Sequence, residues 1–200
     1  MTDHDSHESS SGAITRRTAL SALGAAAAMP ATALAQNNSG ASFSENEIVD
    51  AVADFFGVTA QAAATVVQRI FADLGQPNAY IQGEEASGAF AVGLRYGEGW
   101  LTRKGASPFK VFWQGPSIGF DIGANASKSF TLIYNLRRRE DIFQRFPGVE
   151  GTYYFIAGLG VNYQRADDIT LAPIRSGVGV RAGVNAGYLA YTRERNWIPF

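Results

Sequence analysis

Residues 177–188 read GVGVRAGVNAGY. Val178, Val180, Ala182, Val184, Ala186 and Tyr188 fall on one parity, and Gly177, Gly179, Arg181, Gly183, Asn185 and Gly187 on the other. This is the period of a β-strand, whose successive side chains point to opposite faces. Glycine along most of one face signals curvature, because such a strand can bend sharply or let another backbone approach. The same period runs through residues 90–96, 118–122 and 130–136. Tyr153, Phe155, Leu159, Val161 and Tyr163 read as one face of a further, long strand. Repeated over several strands, the pattern predicts a small antiparallel β-barrel rather than a flat sheet.

Before residue 80 the period is 3.6. Ser44 and Glu47 form an S-x-x-E capping box, with Phe43 placed to staple onto Ile48. Ile48, Val52, Phe55 and Phe56 follow at helical spacing, and Gly57 stops the helix. Thr59 caps a second helix with Ala63, Val66, Val67, Ile70, Phe71 and Leu74 on one face, closed by Gly75 and Pro77. Neither helix is apolar all round, so each needs a surface to cover. A last helical signal, Arg138 to Phe146, interrupts the strands and ends at Pro147-Gly148. The expected fold is mainly β within the α+β class. A helical hairpin over 44–75 precedes a small soluble antiparallel β-barrel over 79–200, with one short inserted helix. The hairpin is expected to plug or cover an open end of the barrel.

The first 35 residues read differently. Thr15-Arg16-Arg17 precedes the weakly apolar stretch TALSALGAAAAMPATALA, and Ala33 and Ala35 stand at −3 and −1 before Gln36. This is the pattern of a secretory leader with a twin-arginine look, cut between Ala35 and Gln36. A Sec-type signal with a chance arginine pair is the alternative. The stretch is short and small-sided for a membrane span, which needs about 20 strongly apolar residues. Residues 36–43 read as a linker, and the expected location is the bacterial periplasm.

Removing residues 1–35 takes away both histidines, His4 and His7. It also removes Arg16, Arg17, Asp3, Asp5 and Glu8, leaving fifteen charges of each sign and no net charge. The chain has no cysteine. These absences argue against most zinc, copper and haem sites and against Ser-His and Cys-His catalysis. A neutral balance argues against nucleic acid, which calls for a basic footprint. No cofactor is expected, and the remaining 165 or so residues suit one domain.

Residues 97–135, GEGWLTRKGASPFKVFWQGPSIGFDIGANASKSFTLIYN, together with the closing RAGVNAGYLAYTRERNWIPF, resemble the EipA family of alphaproteobacterial periplasmic proteins. The resemblance runs from about Ser44 to Phe200. It implies a small soluble β-barrel tied to cell-envelope integrity, without an established enzymatic activity. A more distant similarity to the SYLF lipid-binding domain rests on Gly115, Ile118, Gly119, Ile122, Gly123, Ala124, Ser127 and Asn135. The function these readings predict is non-enzymatic support of the envelope, through a lipid, glycan or protein partner. A carboxylate-based cell-wall hydrolase and an outer-membrane β-barrel are the alternatives.

Candidate contact residues follow from charge on the small-residue faces. Asp121 lies opposite Ile118, Phe120 and Ile122, and a carboxylate inside a barrel is costly unless paired. Arg181 and Arg95 occupy comparable faces and are its expected partners. Arg137, Arg138 and Arg139 form the one dense basic run, followed at once by Glu140 and Asp141 as at a helix start. They are candidates for a headgroup or anionic glycan contact. Trp197 is a candidate exposed aromatic near the end of the chain. Glu84, Glu85 and Glu98 are the carboxylates a hydrolase would use, although QGEEASG and YGEGW read as solvated turns. Gly115 to Gly119 lacks the helix and the G-K-[ST] ending of a phosphate loop, so its glycines read as curvature.

Overall fold

The computed structural model describes residues 42–90, 92–117, 125–176 and 187–196, with backbone alone at 87–90, 92–93, 117 and 125. Helix α1 (Glu45–Phe56) begins as the capping box requires. The Ser44 hydroxyl accepts the Glu47 N–H at 3.4 Å, and the Glu47 carboxylate accepts the Ser44 N–H at 2.8 Å. Gly57, at φ 71°, ends it. Helix α2 (Ala60–Leu74) is capped by Thr59, whose hydroxyl accepts the Ala62 N–H at 3.2 Å. Ile48 and Val52 of α1 and Ala63, Val66, Val67 and Ile70 of α2 are buried.

Among the described residues ten strands follow: β1 (Ala79–Phe90), β2 (Val92–Arg103), β3 (Phe109–Ser117), β4 (Asn125–Tyr134), β5 (Arg145–Pro147), β6 (Tyr154–Ile156), β7 (Leu159–Val161), β8 (Gln164–Ala166), β9 (Ile169–Ser176) and β10 (Tyr188–Thr192). They form one sheet in the order β5-β10-β3-β2-β1-β4-β9-β7-β6, with β8 also paired to β9. The strand pairings described are all antiparallel. An isolated bridge between Gly148, just after β5, and Gln164 in β8 joins the two ends of the sheet into a ring. The architecture is therefore barrel-like and mostly antiparallel, as the glycine-rich alternation predicts.

Curvature has a visible cause. Gly83 and Gly99 face each other across β1 and β2, and a methyl group on either would meet the opposite backbone. The Trp113 indole lies where a Gly97 side chain would stand. The two faces of the sheet bury different clusters. Inside are Ile81, Leu101, Val111, Trp113, Ile133, Leu171, Leu189 and Tyr191. On the outer face Tyr80, Phe130, Leu132, Ala172 and Ile174 pack against both helices.

Several expectations are corrected by this arrangement. The hairpin lies on the outer face of the sheet and does not plug an end. The reason is that Phe130, Leu132 and Tyr134 give β4 a second apolar face, and their neighbours on β9 extend it. The long strand expected through Tyr153 and Tyr163 is instead a hairpin, β6 turning into β7 at Ala157 (φ 50°) and Gly158 (φ 83°). Positive φ at both loop residues is the twist a two-residue hairpin prefers. The inserted helix is a single 3-10 turn, Arg139–Ile142, and Arg145–Pro147 is strand β5 rather than helix. Residues 90–96 are not one strand, since β1 ends at Phe90 and β2 starts at Val92. The alternating stretches at 118–122 and 177–186 lie outside the described residues, as do the leader, Ala35 and Gln36. No described helix is long and apolar enough to cross a membrane.

Candidate functional site

Period-2 alternation sends Glu85 of β1, Arg95 of β2 and Arg175 of β9 to the inner face. Glu85 and Arg175 are buried, 3% and 4% exposed. The Trp113 Nε1–H donates to Glu85 Oε1 at 2.9 Å, and the Arg175 Nε–H donates to Oε2 at 2.8 Å. Arg95 Nε stands 3.5 Å from the same Oε2. The Arg175 Nη1–H also donates to Asn162 Oδ1 at 2.6 Å. Burial alone would raise the Glu85 carboxyl. The guanidinia of Arg175 and Arg95, with hydrogen bonds from Arg175 and Trp113, outweigh it and hold Glu85 below the ordinary carboxylate range. Trp113 fits this centre only because Gly97 and Gly83 leave room for its ring.

The centre is structural in character. The Glu85–Arg175 pair is hydrogen-bonded and buried, and the described interior beneath it is packed with Ile81, Leu101, Val111 and Tyr191. Among the described residues, Arg175 Nη2 and Ser129 Oγ are buried without a hydrogen-bond partner. The two residues are opposite each other in the β4–β9 register.

The outer face carries the more accessible chemistry. A groove of about 280 Å³ is lined by Glu84, Tyr96, Glu98, Phe112, Gln114 and Arg195, among other residues. Tyr96 and Phe112 are partly buried and Glu84 is exposed. Glu98 is paired with Lys110 at 3.4 Å and with Arg195. The hydrogen bond from Arg195 is the main influence that lowers the Glu98 carboxyl. Partial desolvation opposes it and Lys110 assists. The same two cations approach the Phe112 ring, Lys110 Nζ at 5.2 Å and Arg195 Cζ at 5.8 Å from its centroid.

The candidate residues fare unevenly. Arg95 does enter an ion pair, with Glu85. Its expected partner Asp121, together with Arg181 and Trp197, lies outside the described residues. Arg137 pairs with Asp168 at 3.2 Å and Arg138 with Asp141 at 2.6 Å, while Arg139 Cζ lies 4.3 Å from the Phe109 ring centroid. The basic run is thus engaged locally at the start of its helical turn. Glu84, Glu85 and Glu98 are not on turns. They sit in the paired strands β1 and β2, with Glu84 directly opposite Glu98. The sequence alone does not single out Arg175 or Asn162. The available signal was Arg175 standing on the apolar parity of Ile169 and Leu171.

Strand order, packed interior and polar outer groove define a barrel-like antiparallel domain with a buried ion-pair centre. The chain belongs to the EipA family: the family model described as Envelope integrity protein A matches residues 41–200. It is also similar to a β-barrel-like, uncharacterised protein from Brucella abortus, known from a crystal structure. That protein is 45% identical, with a TM-score of 0.72, over 80% of this chain and 99% of the other. No curated protein matches the chain.

Proposed function

We propose that this protein is a non-enzymatic periplasmic component that supports envelope integrity by binding an envelope lipid, glycan or protein partner at its surface. The observation that carries the reading is the family match over residues 41–200, whose description names envelope integrity and no reaction. The packed interior supports it, since a barrel filled with Trp113, Leu101 and Phe146 leaves contact chemistry to the outer face. The leader around Arg16-Arg17, cut before Gln36, supports export to the periplasm by the twin-arginine or Sec route.

The test is a strain lacking the gene. It is expected to lose resistance to detergent and to cell-wall antibiotics and to recover both when the gene is restored. Indifference to both stresses overturns the proposal. Osmotic-shock fractionation is expected to release the protein in soluble form. Recovery only in the membrane pellet would favour an outer-membrane barrel, which the hairpin packed over the outer face of β4 and β9 counts against.

One observation bears on the hydrolase reading, the direct pairing of Glu84 with Glu98 across β1 and β2. A glycosidase needs one carboxyl that holds its proton. The hydrogen bond from Arg195, with help from Lys110, lowers the Glu98 carboxyl, which suits Glu98 poorly to that role. Purified protein is expected to release no fragments from peptidoglycan, and release abolished by Glu84→Gln would favour the hydrolase reading.

A further inference from the structure

We propose that the outer-face groove across β1, β2 and β3 binds an uncharged glycan chain. The inference rests on the envelope-binding reading and names the ligand class of that surface. At about 280 Å³ the groove is just below the roughly 300–1,000 Å³ of sites that enclose a whole small ligand. That size suits one ring of a chain whose neighbours lie along the sheet. Tyr96 and Phe112 supply an apolar floor, and Glu84 and Glu98 supply oxygen acceptors around it. A pyranose ring has the matching surfaces, one face of C–H groups and a rim of hydroxyl donors.

Charge narrows the choice further. Lys110 and Arg195 both pair with Glu98. Lys128, opposite Glu84 in the β1–β4 register, donates instead to the Phe55 carbonyl at 2.8 Å. Among the described residues Glu84 therefore makes no ion pair, and its carboxylate is left to accept from a ligand hydroxyl. The carboxylates of Glu84 and Glu98 stand against Lys110, Arg195 and Lys128, a balance within one charge, so the groove has little excess charge to draw an anionic headgroup or a polycation. Trp100, 55% exposed, shares the face of β2 with Glu98 and Tyr96 and extends the aromatic platform along the strand. A linear chain following β2 would meet it next.

Calorimetric titration of the purified protein with β-1,4-linked N-acetylglucosamine oligomers, and separately with glucose oligomers, tests the proposal. Phosphatidylglycerol vesicles are run in parallel. At least one oligosaccharide is expected to bind. Trp100→Ala and Glu84→Gln are each expected to weaken that binding about tenfold, the loss typical of one anchoring group. Both positions are exposed, and thermal melting checks that both variants remain folded. Absence of oligosaccharide binding, binding unchanged in both variants, or binding to vesicles alone overturns the inference. Complementation separates this from the wider reading. If neither oligosaccharide binds but the deletion strain remains envelope-sensitive, the glycan assignment falls and the envelope role stands.

Discussion

Glu85 is the residue on which the interior turns. It is a carboxylate with 3% exposure, two guanidinia beside it and an indole N–H on its other oxygen. Such a pair adds little compared with a well-packed apolar core, yet removing one partner strands the other charge at a cost of about 3–5 kcal/mol. Arg175→Met is expected to lower the urea unfolding free energy by that amount. Glu85→Gln, which keeps the shape, is expected to cost less than Glu85→Ala. The pH dependence follows from the lowered carboxyl. A group whose folded value lies below its unfolded one contributes stability that is complete above the unfolded value and is lost as pH falls through the folded one. Stability is thus expected to decline below about pH 4, the unfolded carboxylate range. Glu85→Gln should flatten part of that decline, and urea midpoints measured between neutral and acid pH check it. Glu85 could be read from the sequence as one carboxylate among several. Its burial could not, because the sequence does not say which parity of β1 faces inward.

Among the elements, the helices were the most legible. Ser44, Glu47, Gly57, Thr59 and Gly75 mark the ends observed, since caps are local chemistry acting over three or four residues. The strand breaks were less legible. Ala157 sits at φ 50°, where a β-carbon is strained and where asparagine or glycine is the usual residue of a two-residue hairpin. Alanine therefore hid the β6–β7 turn. Ala157→Asn is expected to stabilise the protein by about 0.5–1 kcal/mol, seen as a raised melting temperature. Strand β9 was hidden by Pro173, which argues against a central strand. The structure accommodates it because β7 pairs with residues 174–176 and β8 with residues 169–171, so Pro173 falls at the gap between the two ladders.

At the scale of the molecule, the sheet buries its inner face and, over β4 and β9, its outer face as well. The outer cluster joins Ile48, Val52, Val66 and Ile70 of the hairpin to Phe130, Leu132, Ala172 and Ile174 of the strands. Without the hairpin these strand residues would form an exposed apolar patch of the kind that drives association. A chain lacking residues 44–75 is expected to aggregate on size-exclusion chromatography and to bind a hydrophobic dye. Ile48→Ala and Ile70→Ala are each expected to cost about 2–5 kcal/mol of unfolding free energy, as buried isoleucines do. A soluble, monomeric deletion protein would show that the outer cluster is not needed to hold the sheet.

The sequence by itself determined the class of fold, the two capped helices and the family. Each of these is carried by short-range periodicity, by capping or by a contiguous motif. Only the tertiary structure decided where the hairpin lies, which face of each strand is inside, and that Glu85 and Arg175 meet although they stand 90 positions apart. The physical reason is register. A shift of one residue moves every side chain of a strand to the opposite face. Neither glycine nor alternation says which strand will stand beside which. Once β4 is seated between β1 and β9, the same alternation that announced a barrel also sets what fills it and what is left outside to make contact.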